Sequence, residues 1–488
     1  MEAKALVATT GRGQPVAGLL PLAVAALAFV ILTSAGAKLL NDPDSYWHIV
    51  TGEWIFEHGF PTTDPFSFTY AGKPWIAKEW LSQTLYALAY RSGGWTGVVA
   101  LAAAAFAASF AVVARALERH LSPVAIASFL CAAFMLAASH ALARPHLLVM
   151  PVMVLWTAGL VRALDRDGGP PFLILPLMVL WANLHGSFLL GILLAGAAGL
   201  EAIVAAPRAE RLRRVLQWGL FGLAVLAASC LTPYGVGTVF AALKVLTLGD
   251  LLPLVSEFQP PDFSKPHPLE FVLLAAIGLA AWKGFKLPPV RILVLLGLIH
   301  LALSGQRYGE TLGLLAPLYL AAPLARQFAA DRRVVGLDRR SAVAGLLALL
   351  IAGVATWNLT RLAPTPAASV TPAAAVAAIK SAGLKRVLND YDFGGYMIWA
   401  GLPTFVDGRA ELYGERFLLR YRGAVLLADL ERLIRLLDEY QIDATLLSPR
   451  LPAVAWFDRE PGWKRLYADD VAVVHVRTGS TAPRSANP

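Results

Sequence analysis

The chain has 488 residues, 57% of them hydrophobic and only 15% charged, with a mean hydropathy of +0.59; soluble domains carry about 25% charged residues. This balance excludes a soluble globular protein and requires an integral membrane one. The formal charge of +9 reports which loops stay in the cytoplasm and does not argue for nucleic acid as a partner.

The first apolar stretch, VAGLLPLAVAALAFVILTSAGAKLL at 16–40, is long enough to cross a hydrocarbon layer of ~30 Å. It exceeds a signal-peptide core and leads into no small-residue cleavage site, so it is expected to remain as a span. Basic clusters then punctuate the apolar runs: Lys4 and Arg12; Arg115 and Arg119; Arg162 and Arg166; Arg208, Arg211, Arg213 and Arg214; Lys283, Lys286 and Arg291; Arg326, Arg332, Arg333, Arg339 and Arg340. If each cluster is cytoplasmic, the chain crosses twice between neighbouring clusters. The outer loops then fall at 40–95, 140–146, 183–187, 232–267 and 304–310. With a last run at 341–359, about eleven spans are expected, N-terminus inside and C-terminal part outside.

The stretch 170–206 must hold two short crossings joined at Asn183-Leu184-His185-Gly186; a single long bent helix would reverse every later orientation. Beyond residue 364 the pattern changes. Strand-like runs (RVLND, PTFVDG, ATLLS, AVVHV) alternate with helical ones such as LLADLERLIRLLDEY, whose apolar residues recur at helical spacing. The expected fold is therefore a polytopic α-helical membrane domain, 1–364, followed by a small α/β domain outside the cytoplasm, 365–478, and a disordered tail, 479–488. No GxGxxG, P-loop or GxSxG is present, so nucleotide binding and acyl-serine chemistry have no motif. Cys131 and Cys230 lie in apolar runs with no CxxC or Cys/His spacing, which supports neither a disulfide framework nor zinc.

The outer loop 40–95 opens with Asp42 and Asp44, two and four residues beyond Leu40, the last aliphatic of the first span. The segments SYWHIVTGEWIFEHG and WIAKEWLSQTLYALAY have the periodicity of two helices lying in the membrane interface, their Trp residues at headgroup depth. An ionisable residue at a span end that faces a cavity is a functional candidate. The bland reading is also open: Asn41-Asp42-Pro43 as a turn, Asp44 or Ser45 as a helix cap, Lys78 snorkelling to headgroups, and Arg144 and Arg307 anchoring span ends.

The order of a first span, a loop beginning Asp42, Tyr46, Ile49, a Gly-x-Trp stretch before a Pro, Lys73-Pro74 and a Trp-bearing amphipathic helix resembles GT-C glycosyltransferases. It is similar to the aminoarabinose transferases that modify lipid A and to the protein O-mannosyltransferases, with Pro43 where those relatives commonly carry a second acid. WANLHGSF (181–188) and VDGRAELYGERF (406–417) look like bacterial membrane proteins of the same class, the family-39 type. The resemblance implies an inner-membrane enzyme of a bacterial cell that moves a sugar from a polyprenyl-phosphate donor to a glycan, lipid or protein acceptor, in contact with membrane lipid and with its active site in the periplasm. It also makes Asp42 the catalytic residue.

Such a transfer needs a base for the acceptor hydroxyl and cations or donors for the departing phosphate. Asp42, with Asp44 beside it, is the candidate base. Arg144, Arg307, Lys73 and Lys78 are candidate phosphate ligands, guanidinium forks being the better match, and Glu79 and His185 are further candidates around the substrate. Asp42-Pro43-Asp44 also forms a DxD pattern that could hold a divalent ion; relatives with this loop work without a metal, and no cofactor is expected. Two rival readings are a transporter or flippase of lipid-linked sugars and a non-catalytic assembly subunit. Against transport stands the lack of an internal repeat, since transporters commonly site substrate between repeats at the midplane.

Overall fold

The structure is a computed structural model describing residues 19–166, 168–246, 249, 258–328 and 339–478. Expectations for Lys4, Arg12, Arg332 and Arg333, for part of the 232–267 loop and for the tail 479–488 lie outside the described residues. The helices run α1 (Leu19–Ser34), α2 (Gly36–Leu39), α3 (Asp44–His58), α4 (Trp80–Leu117), α5 (Pro123–Ala137), α6 (Pro145–Asp165), α7 (Leu175–Leu184), α8 (Phe188–Ala205), α9 (Arg211–Ser229), α10 (Gly237–Leu246), α11 (Pro268–Lys283), α12 (Pro289–Ser304), α13 (Gly309–Gln327) and α14 (Arg339–Leu362). Helices α5, α6, α11 and α12 each begin with proline, where the missing N–H has no intrahelical partner to lose.

Among the described residues five helices are long and apolar enough to cross a membrane, in α4, α5, α6, α8 and α14, and shorter apolar helices lie at Leu19–Ser34, Phe172–Leu184 and Pro289–Ser304. Their outer faces are greasy: Leu212, Leu216, Leu220 and Leu223 on α9 and Leu346 and Leu349 on α14 are exposed, which is stable only against hydrocarbon. Inside the bundle α4 packs through Ala102, Ala103, Phe106 and Ala107, all buried, small residues letting neighbouring helices approach closely.

Of the helix expected over WIAKEWLSQTLYALAY, the residues from Trp80 on form the first part of α4, and those before it do not. The axis of α4 breaks at Gly93-Gly94, where Gly94 has φ 57° and ψ −148°, a backbone region open to glycine and closed to residues with a Cβ. The 170–206 stretch is two helices. A straight helix would separate Met178 from Gly191 by about 20 Å, yet a Cβ built on Gly191 would lie 2.8 Å from Met178 Cε. The chain therefore folds back at His185, whose backbone is extended. At the far end of this hairpin Arg291 is 2% exposed and donates to Glu201 on α8 and Asp165 on α6, both at 2.8 Å. One fork thus ties α6, α8 and α12 together.

The C-terminal region contains α15 (Ala373–Ser381), β1 (Val387–Asn389), α16 (Gly394–Trp399), α17 (Ala410–Val425), α18 (Leu430–Glu439), β2 (Ala444–Leu447), α19 (Pro452–Phe457), β3 (Trp463–Ala468) and β4 (Val473–Arg477). The sheet order is β1-β2-β4-β3, with β1 parallel to β2 and β4 antiparallel to both its neighbours. Three of the expected strands form. PTFVDG does not join the sheet: the Asn389 side chain takes up its backbone, accepting from Phe405 N at 2.8 Å and donating to Val406 O at 2.7 Å. WKRLYA supplies a strand instead, its exposed polar positions hiding it from a hydrophobicity reading. LERLIRLLDE forms α18, with Asp429 accepting from Arg432 N at the N-cap.

The outer loop and the C-terminal region share one core: Trp47, Ile55 and Trp75 pack with Leu388, Phe405, Phe417 and Tyr421. At its centre Arg409 is fully buried. It donates to both Asp407 oxygens at 2.7 Å and to Asp64 at 2.6 Å, while Tyr413 and Thr404 donate to Asp407 at 2.6 and 2.9 Å. A buried charge is tolerable only when matched this fully. Helix α3, whose period suits a lipid surface, is covered here by α4 on one side and α16 on the other, with Trp47 and Ile49 buried.

Candidate active site

The first span ends in the turn Asn41-Asp42-Pro43, and Asp42 Oδ1 accepts from Asp44 N at 2.8 Å. Pro43 takes the N-cap position of α3 with no side-chain cap, so neither Asp44 nor Ser45 caps the helix, and Ser45 instead donates to Ala143 O at 3.3 Å. Asp44 stands in the first turn of α3, where the helix dipole favours an anion, and accepts from Trp47 Nε1 at 2.9 Å. Arg144 precedes Pro145 in extended backbone, and its carbonyl accepts from Tyr86 at 2.9 Å. Its guanidinium is ion-paired through Nε with Asp42 Oδ2 and through Nη2 with Asp44 Oδ2. Asp42 is 1% exposed at the side chain, Asp44 17% and Arg144 18%, so the open edge of this triplet belongs to Asp44 and Arg144.

The C-terminal region closes over the triplet. A Cβ on Gly408 would collide with Asp44 Oδ1, and one on Gly395 with Pro43 O; only glycine allows backbone this near. From the same segment Glu411 Oε1 accepts from Lys78 Nζ at 2.6 Å, both side chains mostly enclosed. Glu79, next in the chain, lies 3.4 Å from His185 Nε2. His185 Nδ1 accepts from Ser187 N at 3.1 Å, which leaves the ring proton on Nε2, facing Glu79. The start of α4 is pinned to this turn by Trp80 donating to Asn183 at 2.7 Å and Ser82 donating to Leu184 O at 2.7 Å.

The charges here act on one another. Burial raises the pKa of Glu79 beyond what Lys78 can offset. Burial would raise Glu411 too, but its Lys78 partner outweighs this and holds it below the ordinary carboxylate range. Burial opposes the charge on Lys78, yet Glu411, Glu79 and Asp44 together raise its pKa. His185 is kept neutral by burial, with Arg307 and His146 adding to the effect. Two neighbouring glutamates driven in opposite directions are the pattern from which acid and base roles arise.

Arg307 is half-buried, its guanidinium 4.8 Å from the Phe258 ring centroid, and its field reaches Glu79 and His185. The structure thus gathers Asp42, Asp44, Arg144, Lys78, Glu79, His185 and Arg307 around one end of the bundle. Lys73 stands apart, exposed at a loop turn where its carbonyl accepts from Asp64 N at 2.9 Å. Lys78 does not snorkel; it is held by Glu411. Glu411, Gly395 and Gly408 escaped the sequence reading; the signal for Glu411 and Gly408 was the density of Gly and charge in VDGRAELYGERF, and for Gly395 only the Gly394-Gly395 pair.

Both DxD carboxylates converge on one cation, and that cation is Arg144. A divalent ion here would have to displace the guanidinium, and among the described residues no group of three or more His, Cys, Asp or Glu side chains is arranged to hold a metal. The residues present do not fit a DxD metal site.

No protein-family model matches the chain, and no curated protein does. Solved structures do. The archaeal oligosaccharyltransferase AglB from Archaeoglobus fulgidus, in complex with an inhibitory peptide and a dolichol-phosphate, matches with TM-score 0.58 and 11% identity over 96% of this chain and 75% of that one. The Archaeoglobus fulgidus oligosaccharyltransferase in complex with Zn and sulfate matches with TM-score 0.51 and 11% identity over 88% and 68%. ArnT from Cupriavidus metallidurans bound to undecaprenyl phosphate gives 0.46 and 13% identity over 95% and 98%, too distant a superposition to carry weight. The first two show that this chain shares the fold of those oligosaccharyltransferases.

Proposed function

We propose that this chain is an integral membrane glycosyltransferase that moves a sugar from a polyprenyl-phosphate-linked donor to an acceptor on the outer face of the bacterial inner membrane. The observation that carries the reading is the Asp42–Arg144–Asp44 triplet at the mouth of the first span. The likeness in fold to an oligosaccharyltransferase in complex with a dolichol-phosphate supports the donor class. Eleven crossings are proposed, formed by α1, the inner part of α4, α5 to α9 and α11 to α14; the helix set and its turns fit the positions of the basic clusters. The N-terminus then lies in the cytoplasm and the α/β region in the periplasm.

In the reaction Asp42 is the general base. A carboxylate paired with arginine is a weak base, so the resting triplet is inactive by construction. A donor phosphate competes for the same fork: when Arg144 turns toward it, Asp42 loses its partner and its basicity rises. The acceptor hydroxyl then attacks C1 of the sugar from the face opposite the phosphate, its proton passing to Asp42. The C1–O bond breaks with its electron pair going to the phosphate, which departs as polyprenyl phosphate, and the anomeric centre inverts without a covalent enzyme intermediate. Arg144, Lys78 and Arg307 stabilise the developing charge, Asp44 guides Arg144, and neutral His185 with Glu79 offers hydrogen bonds to the sugar.

The test is release of polyprenyl phosphate from a panel of polyprenyl-phosphate sugars by purified protein in lipid nanodiscs. Asp42→Asn should lower release by about 10²- to 10⁴-fold, the range of a positioned base, while still binding donor. Equal release by parent and Asp42→Asn would refute the role of Asp42. Donor binding with no release from any sugar would favour transport.

A further inference from the structure

At the end of the bundle opposite the triplet, a cavity of about 280 Å³ lies between the C-terminal ends of α4, α6 and α13. Arg119, His120, Arg162, Arg166 and Arg326 line it, with Asp165 as its one carboxylate among the described residues. Asp165 is already taken: it accepts from Arg291 at 2.8 Å and lies 3.8 Å from Arg326. The other arginines at this end have partners, Arg115 with Glu118 at 3.3 Å and Arg291 with Glu201 at 2.8 Å. Arg119, Arg162 and Arg166 make no ion pair or side-chain hydrogen bond among the described residues, and all three are exposed.

Helix C-termini favour a cation each, and cytoplasmic loops favour basic residues. Neither rule makes three guanidiniums from two different helix ends converge on a hollow of ligand size. Partial desolvation by the surrounding protein, and then Arg162, Arg115 and Arg166, lower the pKa of Arg119, with Glu118 opposing them. Among the described residues no carboxylate pairs with Arg119, Arg162 or Arg166, and forked guanidiniums suit the several oxygens of a phosphate better than a single carboxylate.

We propose that this cavity is a binding site for a phosphate group, distinct from the triplet and independent of the transfer reaction. At the membrane end of a helical bundle the phosphate comes either from an anionic phospholipid headgroup or from a free phosphate in solution. Arg119 and Arg162 are its principal ligands, and Arg166 and Arg326 form its rim.

The experiment is native mass spectrometry of the whole protein in neutral detergent, titrated with phosphatidylglycerol, with phosphatidylcholine and with inorganic phosphate. The parent should retain phosphatidylglycerol saturably and in preference to phosphatidylcholine. Arg119→Gln/Arg162→Gln should weaken retention by about tenfold or more, the scale of one lost charged hydrogen bond or greater. Arg208→Gln/Arg213→Gln, which removes two exposed charges at the same end, should leave it unchanged; none of these side chains has a partner among the described residues, so both double variants are expected to fold. Displacement of the lipid by inorganic phosphate assigns the site to free phosphate, and resistance to displacement assigns it to the headgroup; either supports the site. Retention unaltered by Arg119→Gln/Arg162→Gln, equal loss in both double variants, or no preference over phosphatidylcholine overturns it.

Discussion

Lys78 Nζ donates to Glu411 Oε1 across 2.6 Å, joining residues 333 positions apart and fastening the C-terminal region to the outer loop beside the triplet. Removing one member leaves the other charge enclosed and unmatched, which costs more than removing both. Lys78→Met and Glu411→Gln should each lower the melting temperature in detergent, and Lys78→Met/Glu411→Met should lose less than their sum. A coupling on the order of 1–3 kcal/mol is expected for groups in direct contact. Strict additivity would show that the pair is not a coupled unit.

Gly408 tests whether the close approach of the two parts matters to chemistry. A methyl group there meets Asp44 Oδ1 and lies 3.0 Å from Trp47 Nε1, so Asp44 or the whole segment must shift. Gly408→Ala should slow donor turnover on the order of 10²-fold, as misplacement of about 1 Å can. Gly462→Ala, where a Cβ meets nothing within 4 Å, should be silent. Equal turnover in both variants would separate the C-terminal region from the reaction.

Asp392 should give the protein a pH signature. Asp392 keeps an exposed face, but the protein packed around it, then the Asp390 and Asp44 carboxylates, push its pKa up to about 6, against about 3.9 in an unfolded chain. A raised carboxyl favours the native state while protonated; the unfolded chain ionises first, so this contribution is full below about pH 4 and lost as pH rises through about 6. Asp392→Asn should therefore melt higher than the parent at pH 8 and at the same temperature at pH 4. The same difference at both values would mean that its ionisation is not the cause.

Much of this molecule can be read from its residues alone. Hydropathy reports length and polarity, which suffice for the apolar helices, for the hairpin folding back at His185, and for placing Asp42 and Asp44 at the end of the first span, because hydrocarbon accepts only satisfied backbone. Local amphipathicity likewise marks α18, and alternating apolar runs mark β1, β2 and β4. The pairings were decided in three dimensions. That Arg144 would bridge Asp42 and Asp44, that Lys78 would find Glu411 rather than lipid headgroups, and that Arg409 would bury itself between Asp407 and Asp64 depend on which surfaces of α3, α4 and α17 meet. Arg409–Asp407 apart, those contacts join residues 100 to 345 positions apart, and sequence spacing carries no information about them; a charged side chain reads the same whether it faces water or a partner. Only packing, by removing water from both members of each pair, turns a solvated charge into a structural or catalytic one.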